Sequence, residues 1–293
     1  MKIGEVLKGI RLNRNLKLKE ASQGIINFSQ LSRIENQGQI PSVSTLFALL
    51  DHYNVTCDEF LSLVQENDTS SRYRLEKMID ETLRTRDTIK ITHLSNLLEA
   101  LHQRNSSTYL IHYHAIAKAY LLLNEEKITS SLEVVEVLKP VTDYLNTVDH
   151  WYRYDLKLLN GILFAYEYEE AMAIGRNALH GLHDRLNDFE DMGLYKSFLG
   201  NMAVLALDHG HPEEAYKYIS TSLSMVNPTK YLFTTIRHSI LHQIICFQLG
   251  NSQYKPDEIP QMLNIFKLMN FPDVSKELRS YALKHGLPLE GAE

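Results

Sequence analysis

Cysteine, proline and glycine are all sparse in this 293-residue chain, at two, eight and thirteen residues. Cys57 and Cys246 make neither a disulfide framework nor a metal motif, which fits a reducing compartment. The start, "MKIGEVLKGI", has no continuous apolar stretch of the signal-peptide kind. No apolar run approaches the roughly 20 residues that a membrane span needs. A cytoplasmic chain with no membrane partner is expected. Phosphate-cradling glycine loops, nucleophile elbows and paired-carboxylate patterns are also missing, so neither an enzyme nor a cofactor is predicted.

Histidine is abundant at thirteen residues but poorly organised. "HSILH" sets His238 and His242 four apart, a spacing that can chelate zinc. The metalloprotease pattern needs Glu after the first His, and Ser239 stands there instead. "HYH", "HGLHD" and "HGH" lack a coherent third ligand. These histidines read as surface and packing residues, with no metal.

The net charge of −6 argues against nucleic acid until its distribution is read. Residues 1–40 carry Lys2, Lys8, Arg11, Arg14, Lys17, Lys19 and Arg33 against Glu5, Glu20 and Glu35, a balance of +4. The other 253 residues hold −10. A basic head on an acidic body is compatible with phosphate binding by the head alone.

Helical periodicity fills the chain. Ile3, Val6, Leu7 and Ile10 form one stripe, and further helices are predicted near 17–24 and 28–35. After "NQGQIPS", Leu46, Leu49 and Leu50 repeat the stripe, and Thr56 and Glu59 are spaced as a capping box. Five short helices therefore fit within residues 1–65. The polar stretch 66–72 reads as a linker, and 73–293 as a second, helical domain. The fold class is all-α.

Within the second domain, "LNGILFAYEYEEAMAIGRNAL" (159–179) matches "GNMAVLALDHGHPEEAYKYISTSL" (200–223). Asn160 and Asn201 lie 41 apart and the two Glu-Glu-Ala units 44 apart, with a weaker third copy over 239–266. A period near 40 predicts a right-handed tetratricopeptide-like superhelix, in which stacking supplies the core and leaves a concave surface.

One segment of the head stands out: "NFSQLSRIENQ", residues 27–37. Leu31 and Ile34 fit a core-facing side, and Asn27 is a good N-cap. Ser29, Gln30 and Arg33 fall on the other side, with hydrogen-bonding groups of a type that reads base edges. The alternative is a solvated face without a partner.

The first 65 residues resemble the helix-turn-helix domain of the Xre/Cro class, with "SQLSRIE" as the third helix. "PSVSTLFALLDHYNVTCDEF" is similar to the Rgg type of regulator in particular. "WYRYDLKLLNGILF" (151–164) resembles the Trp-x-x-Tyr-acid-x-x-Leu-x-x-Asn stretch of the Rgg/GadR/MutR C-terminal domain. The resemblance covers essentially the whole chain. It implies a cytosolic homodimer that controls transcription through quorum sensing. The implied partners are a double-stranded DNA operator, a short peptide pheromone and RNA polymerase.

The resemblance places the third helix in the major groove. Arg33 then meets guanine, Gln30 adenine, Ser29 several bases and Phe28 a thymine methyl. Arg11, Arg14 and Lys17 hold phosphates. Asn36 stands where the family often carries Arg before Gly, and joins the DNA contacts. Glu35 is expected to pair with a basic residue of the first helix. In the repeat domain, Asn160 and Asn201 clamp a peptide backbone, or else satisfy helix ends or buried carbonyls. Trp151, Arg153 and Tyr154 form a mixed apolar and cationic pocket, with Arg153 taking a carboxylate; Trp151 reads equally as a core anchor. Arg237 is a further candidate. Two rivals stand: a regulator whose ligand is a protein, and an interaction adaptor with a vestigial head.

Overall fold

The computed structural model describes residues 3–65, 72–85, 87–124, 131–183, 189–225 and 231–289, and every regular element among these is helical. The chain divides into two compact units, Met1–Thr85 and Arg86–Glu293.

The first unit holds α1 (Ile3–Asn13), α2 (Leu18–Ser22), α3 (Phe28–Gln37), α4 (Val43–Tyr53), α5 (Cys57–Gln65) and α6 (Arg72–Thr85). The predicted stripes form its core: Val6, Leu7, Ile10, Leu31, Ile34, Leu49 and Leu50 are buried together with Tyr53 and Phe60. Each such side chain contributes about 1.5–3 kcal/mol on burial. The helix starts are chemically specified. Asn27 Oδ1 accepts from the Gln30 N–H at 2.8 Å and fixes the start of α3. Thr56 and Glu59 close the capping box of α5 reciprocally, at 2.8 and 3.2 Å. Gly38, at φ 71°, ends α3 in the left-handed region.

Gly4 lets α1 approach α3. A Cβ there would run into the Ile34 carbonyl, a backbone group that cannot swing aside. Residues 66–71 of the expected linker lie outside the described residues. α6 buries Leu75 and Ile79 and groups with the first unit, which sets the break at 85/86.

The second unit begins with α7 (Thr88–Arg104), α8 (Thr108–Asn124), α9 (Ser131–Leu145) and α10 (Arg153–Ile162), the last extended by a 3₁₀ turn over Leu163–Ala165. It continues through α11 (Tyr168–His183), α12 (Phe189–Asp208), α13 (Pro212–Ser224), α14 (Leu232–Gln248), α15 (Glu258–Leu268) and α16 (Pro272–Lys284). Both Glu-Glu-Ala units open an outer helix: Glu169 and Glu170 start α11, Glu213 and Glu214 start α13. Carboxylates in a first turn offset the positive end of the helix dipole.

Alternate helices α8, α10, α12, α14 and α16 touch in sequence, whereas α11, α13 and α15 pack mainly onto these. The layer whose members adjoin one another is the inner one. Side-chain bonds between successive inner helices join residues 37 to 42 positions apart. The period read from the two asparagines is therefore a physical distance between stacked repeats. No helix among the described residues is long and apolar enough to cross a membrane.

Candidate functional site

On α3, Leu31 and Ile34 are buried, so the opposite side must face outward. Phe28 is 59% exposed, Ser29, Arg33 and Asn36 are exposed, and Gln30 is half-buried. An aromatic ring so open at a helix start gains nothing from the core. Ser29 Oγ donates to Asn27 Oδ1 at 2.7 Å, which ties it to the cap. Asn36 Oδ1 accepts from Lys8 Nζ at 2.8 Å, and its Nδ2 donates to the Ser32 carbonyl at 3.0 Å. Lys8 was passed over in the sequence, although it lies three residues before Arg11 on the side of α1 that meets α3.

Arg11 must be corrected. Its Nε and Nη2 donate to Glu35 Oε1 and Oε2, each at 2.8 Å, and Nη1 donates to the Leu16 carbonyl at 2.7 Å. All three nitrogens are engaged and the residue is 6% exposed, so it is not placed to hold phosphate. It is instead the basic partner expected for Glu35, which raises the guanidinium pKa through that hydrogen bond. Burial, then the Glu35 charge, push the neighbouring Tyr53 phenol up to about 12. Arg14 stays exposed, with Nε donating to the Tyr53 carbonyl at 3.1 Å. Lys17 is exposed ahead of α2, where Glu20 accepts from its backbone N–H at 2.7 Å.

In the repeat unit, the structure brings Asn160 and Asn201 together. Asn201 Nδ2 donates to Asn160 Oδ1 at 2.9 Å and to the Asn160 carbonyl at 3.3 Å. Asn160 Nδ2 in turn donates to Ser197 Oγ at 3.4 Å. Tyr154 points elsewhere: its hydroxyl bonds His112 Nδ1 on α8 at 2.7 Å, within a cluster that includes Tyr113 and Tyr144. Buried Asp155 orders the start of α10, accepting from the Tyr144 hydroxyl and the Tyr152 N–H, both at 2.7 Å. Trp151 and Arg153 are half-buried at the same helix start. Arg237 Nη2 donates to Glu277 Oε1 on α16 at 3.1 Å.

Three partners escaped the sequence reading, and the signal for them was present. Ser197 precedes Asn201 by four, His112 precedes Tyr154 by 42, and Glu277 follows Arg237 by 40. Applying the repeat period to every polar inner-helix residue would have found the last two. A fourth group had no such signal. Lys196 is 2% exposed and donates to the Ser222 carbonyl at 2.6 Å. Ser222 Oγ meets His238 Nδ1 at 2.7 Å, and Gly200 makes room for that imidazole. Burial, then the nearby Lys196 charge, lower the His238 pKa to about 3, so the ring is neutral. Neither His238 nor His242 belongs to a metal cluster, and no group of three such ligands occurs among the described residues.

A capped helix with an open polar face, seated on a five-helix core and followed by stacked helix pairs, defines a helix-turn-helix protein with a tetratricopeptide-like second unit. A helix-turn-helix family model matches residues 7–60, and the model for the C-terminal domain of the HTH-type transcriptional regulator Rgg matches residues 95–279. The chain belongs to the Rgg family of transcriptional regulators.

Solved structures agree in fold. The SHP pheromone receptor Rgg2 of Streptococcus dysgalactiae is 19% identical, over 97% of this chain and 99% of that one, with a TM-score of 0.68. A transcriptional regulator from Listeria monocytogenes EGD-e is 16% identical over 96% of both chains, with a TM-score of 0.78. Bacillus thuringiensis PlcR, solved with the peptide PapR7 and DNA, is 18% identical over 97% of this chain and 99% of that one, at a TM-score of 0.67.

Proposed function

We propose that this chain is a cytoplasmic, homodimeric regulator that reads operator DNA through α3 and is controlled by a short peptide held on the inner helices. The exposed row of Phe28, Ser29, Arg33 and Asn36, fixed from behind by Leu31 and Ile34, carries the DNA reading. Arg33 supplies bidentate recognition of guanine, and Gln30 and Ser29 supply the neighbouring base contacts. Arg14 and Lys17 set the register on phosphates.

For the repeat unit, support comes from Asn160 and Asn201 on facing inner helices and from the pheromone receptor and peptide complex among the solved structures. Trp151, Arg153 and Arg237 complete the peptide contacts, while Tyr154 shapes the wall through His112. A peptide acts only if it binds one arrangement of the dimer better than another, altering DNA affinity or contact with RNA polymerase.

The test is selection of binding sites from random duplex DNA by the full-length protein. The expected product is a two-fold symmetric site with half-sites about one helical turn apart, or a multiple of that. Failure to enrich any sequence, or a single asymmetric half-site at full affinity, would overturn the reading.

A further inference from the structure

Three pairs of polar residues in the inner layer are already bonded, each across one repeat. His112 meets Tyr154, Asn160 meets Asn201 and Arg237 meets Glu277, over separations of 42, 41 and 40 residues. The last pair differs from the others in chemistry, since it joins opposite charges. Its side chains are 38% and 41% exposed, and a single N–H···O contact of 3.1 Å joins them. Such a pair is screened by water and exchanges readily. Glu277 offers Arg237 the functional group that a peptide C-terminus would offer.

We propose that Glu277 is an internal competitor for the peptide carboxylate: it holds Arg237 until a peptide binds and displaces it. The inference rests on the peptide reading given above and adds its regulation. Replacing one carboxylate by another at Arg237 is close to neutral, so the exchange adds little to affinity. Its structural effect is larger, because Arg237–Glu277 joins α14 to α16. Occupancy of the groove therefore releases a tie between the last two inner helices. Ligands lacking a carboxylate leave it in place.

The experiment uses the full-length chain and a fluorescein-labelled library of synthetic apolar octapeptides, prepared once with free C-terminal acids and once as C-terminal amides. Wild-type protein is expected to bind the acid form only slightly more tightly than the amide, and Arg237→Gln to lose that preference. Glu277→Gln should tighten binding of the acid form about two- to fivefold, the range open to an exposed pair, and leave the amide form unchanged. Hydrogen exchange of α16 in wild-type protein should rise with the acid form alone. If Arg237→Gln weakens acid binding but Glu277→Gln does not strengthen it, and α16 exchange stays constant, the competitor is refuted while the groove stands. If neither form binds wild-type or Glu277→Gln protein, the peptide reading itself fails and takes the competitor with it.

Discussion

The two units treat buried charge in opposite ways. In the first, Arg11 and Glu35 are almost fully enclosed, with side chains 8% and 0% exposed and two parallel hydrogen bonds of 2.8 Å. In the second, Lys196 is enclosed with only a backbone carbonyl, and His238 is enclosed neutral. Polar ties between repeats such as Asn160–Asn201 and Arg237–Glu277 have exposed or half-exposed members. A bidentate buried pair has one good geometry and locks α1 against α3. A ladder of weak bonds has several geometries of similar energy. The first arrangement suits a reading head whose α3 must be held still, and the second suits a layer that must adjust to a ligand.

The sharpest way to break this contrast is to remove one member of the buried pair. Glu35→Ala leaves an enclosed guanidinium uncompensated and should destabilise the first unit by about 3–5 kcal/mol. Replacing both partners with apolar residues of similar volume should cost far less. Denaturant melts of the three proteins check this, and equal losses would show that the pair is not a unit. Gly4→Ala comes next, at about 3 kcal/mol, because its methyl group can be accommodated only if α1 and α3 separate.

In the second unit the largest effect concerns pH. Burial lowers His238 from 6.5 to about 3. Between those values the unfolded chain binds a proton that the folded one refuses. This contribution is complete above about pH 6.5 and is lost as pH falls toward 3. By pH 5 the loss amounts to about 2 kcal/mol. Denaturant midpoints at pH 7.5 and pH 5 should therefore fall further apart in wild type than in His238→Gln, and equal slopes would remove His238 from the account. Smallest is Asn201→Ala, at about 1 kcal/mol, since its amide is exposed and the lost bonds are weak. A collapse of the melting transition in that variant would mean that the repeat layer is as tightly locked as the head.

Much of this was legible in the sequence. Local chemistry specified the helix starts, so Asn27 and the Thr56/Glu59 box appear where expected. Periodicity placed Leu31 and Ile34 inside, and the 41-residue spacing set Asn160 and Asn201 at equivalent places in successive repeats, without showing that they bond each other. Arg11 misled because sequence counts a cation without showing what encloses it; the expectation that Glu35 needed a basic partner on α1 already contained the answer. Lys196 and His238 were not legible. An amphipathic pattern treats lysine as exposed, and only the packing of α12, α13 and α14 reveals that this one is not.

The account turns on α3 reading bases while Arg14 only grips the backbone. Affinity of wild-type, Arg33→Ala and Arg14→Ala proteins for the selected operator, its single-base variants and random duplex DNA, each across a salt series, tests this directly. Arg33→Ala should lose about 1–3 kcal/mol on the operator, with discrimination vanishing at one base pair and random binding little changed. Arg14→Ala should weaken all sequences alike and flatten the salt dependence by about one unit of slope. Identical behaviour of the two variants on specific and random DNA would contradict the assignment of α3.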